Sequence, residues 1–411
     1  MFLQATESTA AQVVRELLAS ERVRRAFRFF EARAEEFTEE QARVCAIPAP
    51  PFGEAARAEY LRARFAELGL AEARLDAEGN CVALRRGRSL RPLLVVSAHM
   101  DTVFPAGTDF TVRRERGRML APGIADDGCG LAALVALVRA LGECGIETEG
   151  SVLFVGTVGE EGEGNLRGAR HLLQSGEWAK EIDAFVSLDG PGVERITRAA
   201  LASRRYRVRF RGPGGHSWGD FGAANPVHAL GRAVARLTTY PAPASPRTTF
   251  NVGRVEGGSG VNVIAREASL DVDLRSESVE ELGRLDAFFR RAAREAADDE
   301  NASRRPSTPP LELEVKLIGD RPGGETPLDA PLVRMAEEAT RALGFRPRFD
   351  RSSTDSNIAI SIGLPAVTVG AGGASGNSHT TSEWYDPRGR DLGLKRALLL
   401  LLGTVGIGEK D

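Results

Sequence analysis

LLVVSAHMD, residues 93–101, is the stretch whose reading decides the fold. Four consecutive apolar residues, Leu93 to Val96, are too few for a helix and rich in β-branched side chains, so they read as a buried strand. The strand runs through Ser97 and Ala98 and then presents His99 and Asp101. In an open α/β sheet, ligands bind just outside the carboxyl ends of the strands, so this His-x-Asp pair stands where chemistry is usually done. A histidine can bind a metal through one nitrogen while a carboxylate holds its other N–H. Alone, the pair would also suit a structural histidine, and the rest of the chain has to decide.

Outward from this strand the same pattern recurs. SVLFVGTVGEE (151–161) is a second apolar run ending in two acids, and DAFVSLDG (183–190) a third ending in Asp189. Between the first and second runs, Leu131–Leu141 is strongly apolar and reads as a buried helix behind the Asp126-Asp127 loop. Upstream, residues 11–45 carry apolar positions at helical spacing and predict two helices. A proline-rich loop (45–54), a helix over Ala55–Leu68 stopped by Gly69 and a strand over Asn80–Leu84 follow. Residues 102–123 form a long loop with a hairpin. Apolar strands that end in acids or a histidine, separated by helices, describe an α/β, mainly parallel sheet with a site at one edge.

From about residue 200 the character changes. ASRRYRVRFRG (202–212) alternates basic or polar residues with Tyr206, Val208 and Phe210, the period of a half-exposed strand. A helix over Pro226–Leu237, strands near Thr248–Val255 and Glu267–Leu274, a helix from Val279 to about Ala297 and the alternating strand 311–319 complete a two-layer α+β domain inserted into the first. The helix near Leu332–Leu343, the strand 365–370 and the apolar helix Leu392–Val405 resume the α/β style. The domains are therefore read as 1–199 and 320–411 for the first, and 200–319 for the insertion.

Composition sets the class. With 411 residues, 42% hydrophobic and 27% charged, the chain is an ordinary globular protein with room for two domains. A formal net charge of -3 gives no global electrostatic case for nucleic acid or anionic membranes. No apolar run is long enough to span a bilayer, and the first residues lack the pattern of a secretory signal. Cys45, Cys81, Cys129 and Cys144 show no metal or redox spacing, so reduced buried thiols in a cytoplasmic protein are expected.

The polar residues at the strand ends are His99, Asp101, Asp126, Asp127, Glu160, Glu161 and Asp189, joined near the C-terminus by His379. Acids after strands are often merely solvated. The set resists that reading, because three of the five histidines (His99, His216, His379) fall in loops rich in Gly, Ser, Asp and Thr. His171 and His228 lie in helix-like surroundings and are taken as structural. Imidazoles with carboxylates suit zinc, cobalt or manganese rather than a thiolate metal. There are enough of them for two divalent ions, with one acid left as general base.

At these residues the chain resembles the M20 family of metallopeptidases, which includes peptidase T, the glutamate carboxypeptidases, the aminoacylases and succinyl-diaminopimelate desuccinylase. The matching motifs are SAHMDTV (97–103), PGIADDGCG (122–130), GTVGEEGEGNLRGAR (156–170), SLDG (187–190), GGHS (214–217), GVNVIA (260–265), DVDLRS (271–276), STDSN (353–357) and NSHTTSEW (377–384). The resemblance implies that His99 binds one metal and His379 the other, with Asp126 bridging. It implies that Asp189 completes the His99 site, that Glu161 completes the His379 site, and that Glu160 is the base acting on a trapped water. Asp101 would orient His99 or tune the base. The inserted domain would be a lid and dimerisation domain making a homodimer, its His216 reaching an active site to stabilise the tetrahedral oxyanion. Asn262 and Arg275 match positions that hold polar or carboxylate groups of the substrate, and Asp355 and Glu383 would support the His379 loop. Asp127 would be the non-bridging neighbour, although the order of the two acids could be reversed.

Gly128 and Ala265 depart from the family's usual lysine and proline without touching the proposed chemistry. In the family, Asp at position 189 is similar to peptidase T and the dipeptidases, whereas carboxypeptidases and deacylases more often carry Glu. The expectation is therefore an aminopeptidase for di- or tripeptides, with an N-acyl amino acid deacylase or a carboxypeptidase as the alternative. A non-catalytic binding relative would have lost a ligand or the base, and none is missing here.

Overall fold

In the computed structural model, which describes residues 7–70 and 72–408, the chain divides into two compact units. The first comprises Met1–Ala200 and Glu325–Asp411, the second Leu201–Gly324. The first is built on three strands that are buried along their whole length, Leu93–His99, Ser151–Thr157 and Ile182–Leu188. Burial on both faces is why they read as unbroken apolar runs. Their side chains alternate between two cores. Leu94, Val96 and Ala98 pack with the helices Gly128–Glu143 and Arg390–Val405, while Leu93 and Val95 pack with the helix Arg167–Gln174.

Leu93–His99 lies between the other two and parallel to both. Ala366–Val369 extends the sheet parallel to Ile182–Leu188, and on the far side Cys81–Arg85 runs antiparallel to Ser151–Thr157, with the short strand Arg74–Leu75 at the edge. The register sets His99 beside Thr157 and Ser97 beside Ser187, so the carboxyl ends of the three strands emerge together. Gly130 lets the helix behind them come this close: a Cβ there would sit 2.4 Å from the Asp127 carboxylate and 2.6 Å from the Leu188 carbonyl. A small antiparallel sheet joins the hairpin 113–120 to Trp384–Asp386 and Ala374–Gly376.

The N-terminal region holds three helices rather than two, Glu7–Ala19, Glu21–Ala32 and Ala34–Cys45. The breaks at Ser20 and Arg33 are single residues, too short to interrupt the apolar spacing visible in the sequence. Two strands were not anticipated, Arg195–Ala200 and Arg348–Ser352, because charged residues interrupt their apolar patterns. All four cysteines are buried and free, and no helix among the described residues is long and apolar enough to cross a membrane.

The second unit is a two-layer α+β fold. Four antiparallel strands run in the order Thr248–Gly257, Glu267–Ser276, Ala202–Arg211 and Glu312–Arg321. One face carries Tyr206, Val208, Phe210, Val272 and Leu274 into a core with the helices Pro226–Leu237 and Val279–Ser303. The other carries cross-strand ion pairs, Arg205–Asp273 at 3.0 Å, Arg207–Asp271 at 2.8 Å and Arg211–Glu267 at 3.0 Å. This ladder accounts for the arginine-rich strand. The chain returns to the first unit after Gly324 rather than 319, since the last strand runs on to Arg321.

Candidate metal centre

Asp126 is the hub. Its Oδ1 lies 2.9 Å from His99 Nε2 and its Oδ2 lies 3.0 Å from His379 Nε2. His379 Nε2 is also 3.1 Å from Glu161 Oε1. Ligand atoms of His99, Asp126 and Asp189 all fall within 4.8 Å of one another, as do those of Asp126, Glu161 and His379, and those of His99, Glu160 and Glu161. The first two groups share one member, Asp126, which offers a different oxygen to each histidine. That is the donor arrangement a pair of ions with a bridging carboxylate requires. The residues fit two borderline divalent ions, each with one imidazole and two carboxylates.

The electrostatics agree. Burial and the Asp126 charge push Asp189 up to about 6, while hydrogen bonds to Asp126 and Glu161 lift His379 to about 10. Burial works against a charged His99, yet its bonds to Asp101 and Asp126 outweigh that and raise it well above the usual imidazole range. Several acids crowded out of water around two imidazoles leave negative charge that cations, taking the place of the imidazole protons, would compensate.

Asp127 takes another role. Burial keeps its carboxyl well above the ordinary range, and its oxygens accept the amides of His99 at 3.2 Å, Gly130 at 3.1 Å and Gly190 at 3.2 Å. It caps the helix Gly128–Glu143 and ties the His99 and Asp189 strand ends together. Asp126, not Asp127, lies between the histidines. Asp101 is fully buried and belongs to none of the three groups. Its carboxylate accepts the amides of Glu160 at 3.0 Å and Glu161 at 2.7 Å. The His99 Nδ1–H bonds the Asp101 main-chain oxygen at 3.0 Å, with the carboxylate 3.5 Å away. Asp101 therefore sets both the imidazole and the backbone of the two glutamates.

Two supports act elsewhere than expected. The Glu383 carboxylate accepts the amides of Ala125 at 2.8 Å, Asp126 at 3.0 Å and Gly123 at 3.2 Å, so its side chain holds the Asp126 loop, while only its own amide, 3.1 Å from the Thr380 oxygen, serves the His379 turn. Asp355 accepts the Thr157 hydroxyl, at the strand position beside His99, and not the His379 loop either. The sequence reading missed Arg57 altogether. Its guanidinium is fully buried and donates to the main-chain oxygens of Met100 at 2.6 Å and Cys45 at 3.3 Å, and also of Ile47. Arg57 thereby fixes the peptide between His99 and Asp101. An arginine in an exposed-looking helix carries no sequence signal for this.

Glu383→Ala leaves three N–H groups, two buried and one partly so, without an acceptor. Each costs about 1–3 kcal/mol, and outer partners of metal ligands typically account for about 10- to 100-fold in affinity. The expected result is a lowered melting temperature and zinc affinity weakened by that factor in chelator competition. Unchanged zinc affinity would show that Glu383 does not position Asp126.

In the second unit, His216 pairs with Val263 across a short antiparallel ribbon, and the Ser217 amide bonds the Asn262 oxygen at 3.0 Å. Two candidates 46 positions apart in sequence are thus neighbours. The His216 amide bonds Asp220 at 2.7 Å, and its Nδ1 accepts the Trp218 N–H at 3.1 Å, which leaves Nε2 as the donor of a neutral ring. Arg275 is not brought to them. It sits eight residues along its strand from Glu267, about 26 Å at the usual rise, and its Nε bonds Asp273 at 2.6 Å. Arg266 lies nearer to them. It is exposed, lies against Gly214 and, among the described residues, has no ion-pair partner.

A mainly parallel sheet with acids and imidazoles gathered around one shared carboxylate is the arrangement of a metal-dependent hydrolase. Residues 95–401 match the model of peptidase family M20/M25/M40, and the chain belongs to that family. It is 28% identical to carboxypeptidase G2 of Pseudomonas sp. (strain RS-16) over 335 residues, 77% of this chain and 75% of that one. A tripeptidase from Staphylococcus aureus shares the fold with a TM-score of 0.72 at 23% identity, covering 89% of this chain and 97% of that one. A dinuclear metal-binding peptidase of the family from Bacillus subtilis, YXEP, does so with a TM-score of 0.66 at 17% identity, covering 91% and 99%. The protein is thus a hydrolase of the metallopeptidase and amidohydrolase type.

Proposed function

We propose that this hydrolase is an exopeptidase that removes the amino-terminal residue of di- and tripeptides. The observation that carries this reading is Asp189, the carboxylate grouped with His99 and Asp126, at the position where a shorter acid accompanies recognition of a free amino group. The ions assigned are zinc, with cobalt or manganese as substitutes. His99, Asp189 and Asp126 would hold one, and His379, Glu161 and Asp126 the other. Bound there, such a pair supplies Lewis-acid polarisation of the amide and acidification of a water.

The chain's own residues do the rest. Glu160, grouped with His99 and Glu161 and held at its amide by Asp101, takes the proton of the attacking water as the new C–O bond forms. It returns that proton to the nitrogen as the C–N bond breaks, so the amine leaves neutral. His216 would donate its Nε2–H to the developing oxyanion, and Asn262 beside it would hold a polar group of the substrate. Self-association through the second unit into a homodimer belongs to the same reading.

The likeness to carboxypeptidase G2 favours a second reading, a carboxypeptidase or N-acyl amino acid deacylase. Turnover of the metal-loaded protein on free-amino peptides, their N-acetylated forms and their C-terminal amides separates the two. Loss of activity on N-acetylation supports the aminopeptidase; turnover of the N-acyl compounds that needs a free carboxylate overturns it. On any substrate with a free carboxylate, Arg266→Ala is expected to raise KM about tenfold, the scale of one charge-assisted hydrogen bond. Arg275→Ala, which removes a group already paired, is expected to raise it less. The reverse order would return the carboxylate contact to Arg275.

A further inference from the structure

Around His216 and Asn262 the second unit exposes more apolar surface than a free loop needs. Trp218 is 87% exposed and Phe221 71%, while Val261 is fully exposed and Val263 44%. They belong to one constellation. Val263 faces His216 across the ribbon, Val261 and Val263 flank Asn262, and the Phe221 amide bonds the Trp218 oxygen. The chain has only three tryptophans. Trp384 stacks under Arg118 at 3.9 Å and Trp178 packs against a hydrophobic core, whereas the Trp218 and Phe221 rings have no such partner among the described residues.

Beside the ribbon Val263 also lines a groove of about 500 Å³ together with Gly215, Gly257, Ser259, Ile264, Arg266 and Glu267. Aromatic and aliphatic side chains beside a few polar groups, here those of His216 and Asn262, are the composition of a ligand subsite. Contiguous apolar surface rimmed by polar groups marks a place where something binds. The occupant follows from tethering. Trp218 is two residues from His216, so wherever that imidazole meets a substrate the indole lies within about 7 Å of chain length.

We propose that Trp218, Phe221, Val261 and Val263 form the subsite for a large apolar side chain of the substrate, next to the bond that is cut. This rests on the placement of His216 at the reacting carbonyl given above, and it names the substrate class: short peptides or acyl amino acids carrying a Leu- or Phe-like residue, not a glycine or an acid.

The test compares Leu-Gly and Gly-Leu with Gly-Gly in the zinc-loaded protein and in Trp218→Ser/Phe221→Ser, an exposed double substitution. The expected result is that at least one leucine peptide exceeds Gly-Gly in kcat/KM by about 10- to 100-fold, the range for filling a hydrophobic pocket. The double variant should collapse that ratio. In Glu160→Gln, tryptophan emission gives a readout without turnover: Gly-Leu or N-acetylleucine should shift it to the blue, Gly-Gly and N-acetylglycine should not, and Trp218→Ser should abolish the shift. If the parent cleaves no peptide but this shift appears, the aminopeptidase reading fails and the subsite stands. No leucine preference in either readout, or a preference that survives the double substitution, overturns the subsite. So does a double variant that sediments as a smaller species with its leucine preference intact, since the patch would then be covered by a second copy of the chain.

Discussion

Glu160→Gln is expected to retain two zinc ions per chain and to lower kcat by about 10³-fold, within the range of about 10² to 10⁴ that a positioned general base supplies. The amide side chain is nearly the same size, and the Glu160 backbone stays fixed because Asp101 accepts its N–H. What is lost is the capacity to take up a proton and hand it to the leaving nitrogen. Because the substrate's binding groups are untouched, KM should change little, the signature of an interaction made in the transition state. Steady-state kinetics with metal analysis of the same sample checks this. Near-normal kcat with full metal content would remove Glu160 from the mechanism, and Glu161 would then be the base to examine.

Asp126→Ala is expected to affect both metal positions at once. Its two oxygens meet different histidines, at 2.9 and 3.0 Å, so neither group keeps its three members. A ligand that binds the folded state alone stabilises it by about 2.7 kcal/mol at a concentration 100 times Kd. The parent should therefore gain several degrees in melting temperature when zinc is added, and Asp126→Ala should gain almost none. In the absence of metal Asp126→Ala should also melt below the parent, because His99 and His379 both lose the carboxylate they bond. Thermal melts of both proteins with chelator and with zinc give the four values needed. Equal zinc-induced gains would show that Asp126 bridges nothing.

The contrast between what the sequence shows and what it hides follows the physics of each feature. The parallel strands were legible because burial on both faces demands unbroken apolar runs, as in Leu93–Val96. The candidate ligands were legible because each ends such a run or lies in a loop where a histidine has no packing reason to be. Arg195–Ala200 and Arg348–Ser352 were hidden, because charged residues at the sheet's side break the apolar pattern. The supports were hidden for a different reason. Glu383 serves Asp126 and Arg57 serves Met100 through main-chain groups, and a main-chain partner leaves no mark on the identity of the residue it holds. Arg275 was read from its motif, and within the second unit its side chain is paired with Asp273 near the end of the strand Glu267–Ser276.

The central claim is that Asp126 sits between two metal ions, and anomalous diffraction from a crystal of the zinc-loaded protein tests it most directly. The expected result is two peaks about 3.5–4 Å apart, one among His99, Asp126 and Asp189 and the other among Asp126, Glu161 and His379. A single peak, or two peaks that do not share Asp126, in a protein that hydrolyses peptides at full rate would contradict it.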